Sequence, residues 1–192
     1  MLAQMVEPWQ QTALAGVMRR SLHVSGDIRG FFSELWRASW TEPLGVGRFV
    51  QANVSRSAAG VLRGLHFHMR QADLWVVLEG RAHVVLVDVR EPLAGRAGSP
   101  VIFGETIGAN EAIVIPEGVA HGFWALEPLT LLYLVTNEYD GTDEHGFAWD
   151  DPAVGAAWPL EASSARPIVS ERDAAAPSLA DAVTRALTAR SA

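Results

Sequence analysis

A series of short apolar runs between about residues 46 and 137 places the strongest constraint on how this chain folds. The runs are rich in Val, Ile, Leu and Phe and end at Gly, Pro, Asn or charged residues, which is typical of β-strands joined by tight turns. No helix-length segment separates them, so the pattern favours a sandwich or barrel over alternating strands and helices. The predicted strands are Arg48–Asn53, Gly60–Phe67, Leu74–Leu78, Ala82–Val89, Ala112–Ile115, Gly122–Leu126 and Leu129–Thr136.

The segments that flank this region carry weaker signals. Gly26–Phe32 is interpreted as a turn followed by an edge segment, and Ser33–Trp40 as a short helix. Pro159–Pro177 is a connector rich in Pro, Ala and Ser. At 192 residues the chain suits one well-buried domain. We predict an N-terminal strand or arm (1–25), a barrel (26–160) and a C-terminal connector with a helix that packs on the barrel (161–192).

The C-terminal helix has a start signal and an apolar stripe. Ser178 at the N-cap and Asp181 three residues later form a variant of the capping box. Leu179, Val183 and Leu187 follow at a spacing of four residues, which predicts one narrow apolar face on a helix.

The composition removes several classes of chemistry. The chain has no cysteine, and its 15 basic residues are all arginine, so thiolate nucleophiles, Schiff-base lysines and P-loop lysines are excluded. A formal net charge of −7 argues against nucleic-acid binding. No apolar run approaches the roughly 20 residues that cross a bilayer, and no basic segment followed by an apolar stretch opens the chain. We therefore expect a cytoplasmic protein without membrane contact.

Three histidines and an aspartate form the most informative chemical pattern. His66 and His68 alternate along one predicted strand, so their side chains project from the same face. Asp73 follows them, and His121 lies at a turn into a different strand. Such residues, converging inside a barrel, resemble the paired motifs of the cupins, which often hold one non-haem metal ion.

Longer stretches around these residues resemble one family, in family order from about residue 26 to residue 179. The stretches are Phe49–Ser57, Gly60–Phe67, Ile115–Phe123, Trp149–Pro152, Trp158–Pro159 and Arg172–Pro177. They resemble the dTDP-4-dehydrorhamnose 3,5-epimerases, which epimerise nucleotide-linked 4-keto sugars in deoxysugar biosynthesis. The resemblance implies a mainly β fold, the cupin double-stranded β-helix or jelly-roll barrel, with a short C-terminal helix.

The resemblance also implies an acid–base mechanism. A proton next to a ketone can be removed when the enolate that forms is stabilised, so a base is needed on one face of the sugar and an acid on the other. His66 matches the family's base, and Asp173 matches the aspartate that orients it and raises its basicity. Tyr133 matches the opposing acid.

Substrate contacts and an oligomeric state are implied in the same way. Arg63 and His121 match residues that contact the sugar and the diphosphate, and Tyr139 matches a residue that packs near the nucleotide base. Family members are usually homodimers in which N-terminal strands cross between subunits, so the resemblance implies a homodimer here. The other nucleotide-binding positions are matched by Arg29, Glu34, Gln51, Asn53, Glu144 and Arg172.

Two positions depart from the family pattern. Asp73 stands where the family usually has a lysine that is thought to stabilise the enolate oxygen, and His68 stands where a non-ligating residue is common. An ionised carboxylate about 4 Å from the enolate oxygen would repel it, and this repulsion would raise the energy of the enolate by roughly 4 kcal/mol at the effective dielectric of a protein surface. Both departures move the site toward a metal-binding cupin.

Three functional hypotheses follow from these residues. The first is an epimerase without metal or other cofactor, acting on a dTDP-4-keto-6-deoxyhexose at C3, C5 or both. The second is a metal-dependent cupin isomerase or oxygenase in which His66, His68, Asp73 and His121 hold one divalent ion. It conflicts with the first, since a metal-bound His66 has no lone pair with which to act as a base. The third is a sugar-nucleotide binding protein that lost activity with the lysine.

Overall fold

Short antiparallel strands dominate the computed structural model, which describes residues 8–160 and 166–190. The strands, in chain order, are β1 (Gln10–Gln11), β2 (Met18–Ser21), β3 (Val24–Asp27), β4 (Gly30–Ser33), β5 (Gln51–Ser57), β6 (Leu62–Phe67), β7 (Asp73–Glu79), β8 (Arg81–Asp88), β9 (Ile102–Gly108), β10 (Glu111–Ile115), β11 (Val119–Ala125), β12 (Leu129–Val135) and β13 (His145–Gly146). The helices are α1 (Ala38–Thr41), α2 (Arg90–Leu93), α3 (Glu171–Ala174) and α4 (Leu179–Arg190), with a 3-10 turn over Glu42–Leu44.

Two larger sheets form the jelly-roll barrel expected from the sequence. Among the described residues, one sheet has the strand order β1-β2-β10-β7-β12-β5 and the other has β13-β6-β11-β8-β9. Buried side chains from both sheets meet in a common core, with Trp75 and Leu131 from the first sheet and Leu86 and Phe123 from the second. Burial of these apolar faces against each other holds the sheets together.

The predicted strands are confirmed, with ends that shift by at most four residues. The strands β1, β2, β9 and β13 were not among those predicted. Two of them, β1 and β13, have only two residues each, β2 has no apolar alternation, and β9 follows a segment rich in Gly and Pro that indicated a loop. The helix predicted at Ser33–Trp40 is wrong for most of its length. There β4 ends at Ser33, residues 34–37 belong to no helix or strand, and the single turn of α1 begins at Ala38.

A two-stranded hairpin stands outside both larger sheets. It is built by β3 and β4, which pair only with each other. Its apolar side chains are exposed, with Phe31 at 73% and Phe32 at 61% of full exposure and Ile28 wholly accessible at the turn. In contrast, β2 joins the barrel by pairing with β10. The proposed division into arm, barrel and C-terminal segment stays a prediction.

The C-terminal helix α4 begins as predicted. The backbone N–H of Asp181 donates to Ser178 Oγ at 3.2 Å, and Leu179 and Val183 pack with residues of β6 and β8. The buried Asp151 adds a second restraint, since its carboxylate accepts from the backbone N–H of Leu179 at 2.7 Å. None of the helices in the described part of the chain is long and apolar enough to span a membrane.

Candidate active site

A cavity of about 530 Å³ lies between the two sheets of the barrel. Its walls come from β5, β7 and β12 on one side and from β6 and β11 on the other. The predicted site residues that line it are Gln51, Asn53, Arg63, His66, His68, Asp73, His121, Tyr133, Tyr139, Glu144, Arg172 and Asp173.

Two glycines allow the second wall to form. A Cβ on Gly64 would lie 2.6 Å from Gly122 Cα, and a Cβ on Gly122 would lie 2.7 Å from the carbonyl oxygen of Arg63. Glycine at both positions therefore lets β6 and β11 approach closely. The resulting register places His66 opposite His121.

His66 is held by a carboxylate from the C-terminal segment. Its Nε2 lies 2.8 Å from Asp173 Oδ1. A bridge between Val61 and Ile168 brings this segment against the start of β6, and Ser170 caps α3 by accepting from the backbone N–H of Asp173. These contacts bring Asp173 next to His66, although the two residues lie far apart in the sequence.

The charge on Asp173 determines the tautomer of His66. Burial acts to raise the pKa of Asp173, but the hydrogen bond from His66 opposes it, and the pKa is held below its ordinary value. The aspartate is thus ionised near neutral pH and can only accept a hydrogen bond from Nε2–H. The lone pair of His66 is then left on Nδ1, where it can accept a proton.

Tyr133 lies on the opposite sheet and lines the same cavity. It stands between Trp75 and Asn53 on the neighbouring strands. Burial, followed by the charges of Asp73 and Glu144, raises the pKa of its phenol against the opposing effect of Arg63. The phenol therefore stays protonated at neutral pH and can donate a proton.

Asp73 occupies the first position of β7 and is 4% exposed. Its Oδ1 accepts from Gln71 Nε2 at 2.8 Å, and its Oδ2 accepts from Trp75 Nε1 at 3.3 Å. His121 Nε2 lies 3.7 Å from the same Oδ2. The pKa of His121 is lowered to about 4, chiefly by burial and further by His68 and His66, while Asp73 opposes the shift.

Ligand atoms of His68, Asp73 and His121 lie within 4.8 Å of one another. The four-ligand set considered from the sequence also contained His66, and the structure does not gather it with these three. His66 points Nε2 at Asp173 instead. The conflict between a metal-binding and a basic role for His66 therefore does not arise for the three-residue cluster.

Polar side chains surround the remainder of the cavity. Gln51 donates to Asn53 Oδ1 at 2.9 Å and accepts from the backbone N–H of Tyr139 at 2.9 Å. Arg172 forms an ion pair with Glu144 at 2.9 Å. These contacts place a cation, two amides and an exposed aromatic ring at one cavity.

Arg29 and Glu34 do not line the cavity. Arg29 lies at the turn of the exposed hairpin and pairs with Asp27, whereas Glu34 follows β4 and pairs with Arg37. Their predicted contacts with a nucleotide stay predictions.

Sequence reasoning missed several lining residues. Gln71 and Trp75 stand two positions on either side of Asp73, so strand alternation was a signal that they share its face. Asp143, which supports a lining residue without lining the cavity itself, gave no such signal. Its carboxylate accepts from the backbone N–H groups of Met69 and Arg70, and its carbonyl oxygen lies 2.5 Å from His68 Nδ1. The other missed lining residues are Ser55, Gly122, Phe123, Leu131, Val135 and Ser170.

A jelly-roll barrel in which an imidazole–carboxylate pair and a phenol line one cavity from opposing sheets defines a cupin whose site residues are suited to proton transfer. Comparison with known proteins identifies the family. The sequence model of the dTDP-4-dehydrorhamnose 3,5-epimerases matches residues 11–181. The chain belongs to this family, whose members are isomerases.

Individual relatives agree with this assignment. The dTDP-4-dehydrorhamnose 3,5-epimerase of Salmonella typhimurium is 39% identical over 186 residues, covering 90% of this chain and 96% of the relative. The corresponding protein of Neisseria gonorrhoeae is also 39% identical, and the match covers 92% of this chain but only 54% of that longer protein. A crystal structure from Legionella pneumophila superposes with a TM-score of 0.77 at 35% identity, covering 89% of this chain and 92% of that one. It is described as an epimerase in complex with dTDP-4-keto-L-rhamnose.

Proposed function

We propose that this protein epimerises a dTDP-4-keto-6-deoxyhexose at C3, C5 or both. One observation carries the proposal: His66 with its Asp173 partner, and Tyr133, line one cavity from opposing sheets. A cavity of about 530 Å³ is within the usual size range of small-molecule sites. The 4-keto group activates the protons at both neighbouring carbons, so the same pair of residues can serve either position.

The reaction requires two proton transfers and no change in oxidation state. His66 Nδ1 takes the proton from the carbon beside the ketone, and the electron pair of the broken C–H bond moves to the keto oxygen as an enolate. Asp173 stabilises the imidazolium that results. Tyr133 then delivers its phenolic proton to the same carbon from the other face, which inverts the centre, and both residues re-equilibrate with solvent.

The polar residues of the cavity support a nucleotide sugar as substrate. Arg63 and Arg172 supply guanidinium groups suited to a diphosphate, and Tyr139 presents a ring that is 68% exposed and can stack on a base. Because Arg172 pairs with Glu144 in the structure, the diphosphate would compete with that carboxylate for the same guanidinium. The sugar nucleotide in the Legionella pneumophila complex supports the same ligand class.

A homodimer forms part of the proposal. The hairpin of β3 and β4 exposes Phe31 and Phe32, and apolar surface of this kind marks interaction sites. If the hairpin packs on a second copy, Arg29 and Glu34, which do not line the cavity of their own chain, can reach that copy's nucleotide.

A charged substitution in the hairpin tests the proposed dimer interface. We expect Phe31→Asp to convert a dimer into a monomer in sedimentation equilibrium, because a buried unpaired carboxylate opposes association. Val101→Asp, at another exposed apolar position, should leave the dimer intact. A Phe31→Asp protein that stays dimeric, or a wild-type protein that is monomeric, would contradict the proposed interface.

Deuterium exchange provides the direct test of the activity. Incubation with dTDP-4-keto-6-deoxyglucose in heavy water should place deuterium at C3, C5 or both, because the proton returned from Tyr133 comes from solvent. NMR of the recovered sugar measures each carbon separately, and C2, which does not adjoin the ketone, is an internal control. Exchange at neither carbon, with dTDP binding retained in calorimetry, would support the third hypothesis and reject an epimerase.

A further inference from the structure

We propose that His68, Asp73 and His121 form a site for one divalent first-row transition-metal ion beside the proton-transfer residues. The cluster lines the cavity, and its ligand atoms lie within 4.8 Å of one another. Whether a metal ion binds does not depend on the proposed function. Any role of that ion in the reaction rests on the proposed function.

Backbone carbonyls set the tautomers of both histidines for metal binding. His68 Nδ1 lies 2.5 Å from the carbonyl oxygen of Asp143, and His121 Nδ1 lies 3.2 Å from that of Val119. A carbonyl oxygen only accepts hydrogen bonds, so each Nδ1 carries the proton and each Nε2 carries a lone pair. This outer contact is the one that metal-binding histidines usually make, and it fixes the orientation of the ring.

The carboxylate of the cluster is oriented as well. Gln71 and Trp75 donate to its two oxygens, at 2.8 and 3.3 Å. These bonds leave further lone pairs on both oxygens, since an ionised carboxylate accepts about four hydrogen bonds.

The charges around Asp73 also favour a bound cation. Within residues 8–160 and 166–190, no arginine forms an ion pair with it, and the chain contains no lysine. Its contact at 3.7 Å is with Nε2 of His121, a second member of the cluster. A buried carboxylate without a compensating cation is costly, and a bound metal ion supplies the missing charge.

One of the separations, between His121 and Asp73, is close to that of an occupied site. Nitrogen and oxygen ligands lie about 2.0–2.2 Å from zinc, so ligand atoms around one tetrahedral ion lie roughly 3.4 Å apart. His121 Nε2 and Asp73 Oδ2 are already 3.7 Å apart. The other ligand atoms lie within 4.8 Å, so binding would require the groups to move together by up to about 1.4 Å.

Two imidazoles and one carboxylate favour a particular group of ions. Imidazole suits Fe²⁺, Co²⁺, Ni²⁺ and Zn²⁺, whereas Mg²⁺ and Ca²⁺ prefer sites made of oxygen. Three protein ligands leave positions that face the cavity, where a keto oxygen could bind. On the proposed function, the ion would offset the charge of Asp73 at the place where the family usually has a lysine, while His66 remains available as the base.

Cobalt binding tests the site without reference to catalysis. Full-length protein without a histidine tag is treated with a chelator, dialysed and titrated with Co²⁺, whose visible spectrum reports nitrogen and oxygen coordination. We expect one Co²⁺ per chain in equilibrium dialysis. Asp73→Asn and His68→Gln should each weaken binding at least about 100-fold, more than is typical of losing an outer contact.

Two matched variants sharpen the assignment. His23→Gln changes an exposed histidine outside the cluster and should bind Co²⁺ as wild type does. His66→Asn should also retain Co²⁺, which distinguishes the three-residue site from the four-ligand arrangement. Circular dichroism confirms folding, and His68, which is only partly buried, provides a second ligand variant should Asp73→Asn fail to fold.

The outcomes separate this inference from the proposed function. Saturable Co²⁺ binding that depends on His68 and Asp73 supports the site, whether or not deuterium exchange is seen. Absence of stoichiometric Co²⁺ binding, or binding unaffected by both substitutions, overturns the site even in a protein that catalyses exchange.

Discussion

Replacement of His66 by alanine is expected to lower the rates of deuterium exchange and epimerisation by about 100- to 10,000-fold, the usual contribution of a positioned acid or base. Because Nε2 of His66 is bound to Asp173, the lone pair that His66 can offer to a substrate is the one on Nδ1. Without it, the carbon acid next to the ketone has water as its base. The measurement is the initial rate of deuterium incorporation at saturating dTDP-4-keto sugar.

A second histidine provides the control for this substitution. His145 lies on β13, next to the strand that carries His66, and it does not line the cavity. His145→Ala should therefore keep exchange within a few-fold of wild type. If His66→Ala retained a near wild-type rate with an unchanged thermal melt, another group would have to be the base.

Substitution of Tyr133 by phenylalanine is expected to separate proton removal from inversion. The aromatic ring and its packing remain, but the proton donor on the far face is gone. The rate of inversion at C3 or C5 should fall by about 100- to 10,000-fold. Deuterium exchange with retained configuration should persist, because His66 can return a solvent-derived deuteron to the face from which it took the proton.

NMR of the same reaction mixture measures both processes. Exchange is read from the loss of the C3 and C5 proton signals, and inversion from the coupling constants of the product, so each sample carries its own reference. Inversion at the wild-type rate in Tyr133→Phe would remove the phenol from the mechanism. Loss of exchange as well as inversion would indicate that the phenol also acts on the first step.

Local patterns in the sequence predicted most of the barrel. Strands such as β8 and β12 are rich in β-branched and leucine residues and end at turns, so their existence followed from short-range signals. The strand β2 could not be found in this way, because Met18–Ser21 carries two arginines and pairs with β10 across a long sequence separation. Its strand conformation depends on that partner.

The candidate site shows the same division between local and distant information. Alternation along β6 predicted that His66 and His68 share a face, and the family resemblance paired His66 with Asp173. The grouping of His68 with Asp73 and His121, without His66, required coordinates. It depends on the carbonyl oxygen of Asp143, which lies 75 residues from His68 and leaves no trace in the side-chain pattern.

The placement of the proposed base, His66, and the proposed acid, Tyr133, on separate sheets has a consequence for stereochemistry. Their separation is set by the thickness of the barrel, which large inner side chains such as Phe123 and Leu131 determine. A substitution in this packing would alter how deeply the hexose ring settles and which of its two activated carbons stands between the residues. A change in the size of these buried apolar side chains could therefore shift the reaction between C3 and C5, even with His66, Tyr133 and Asp173 unchanged.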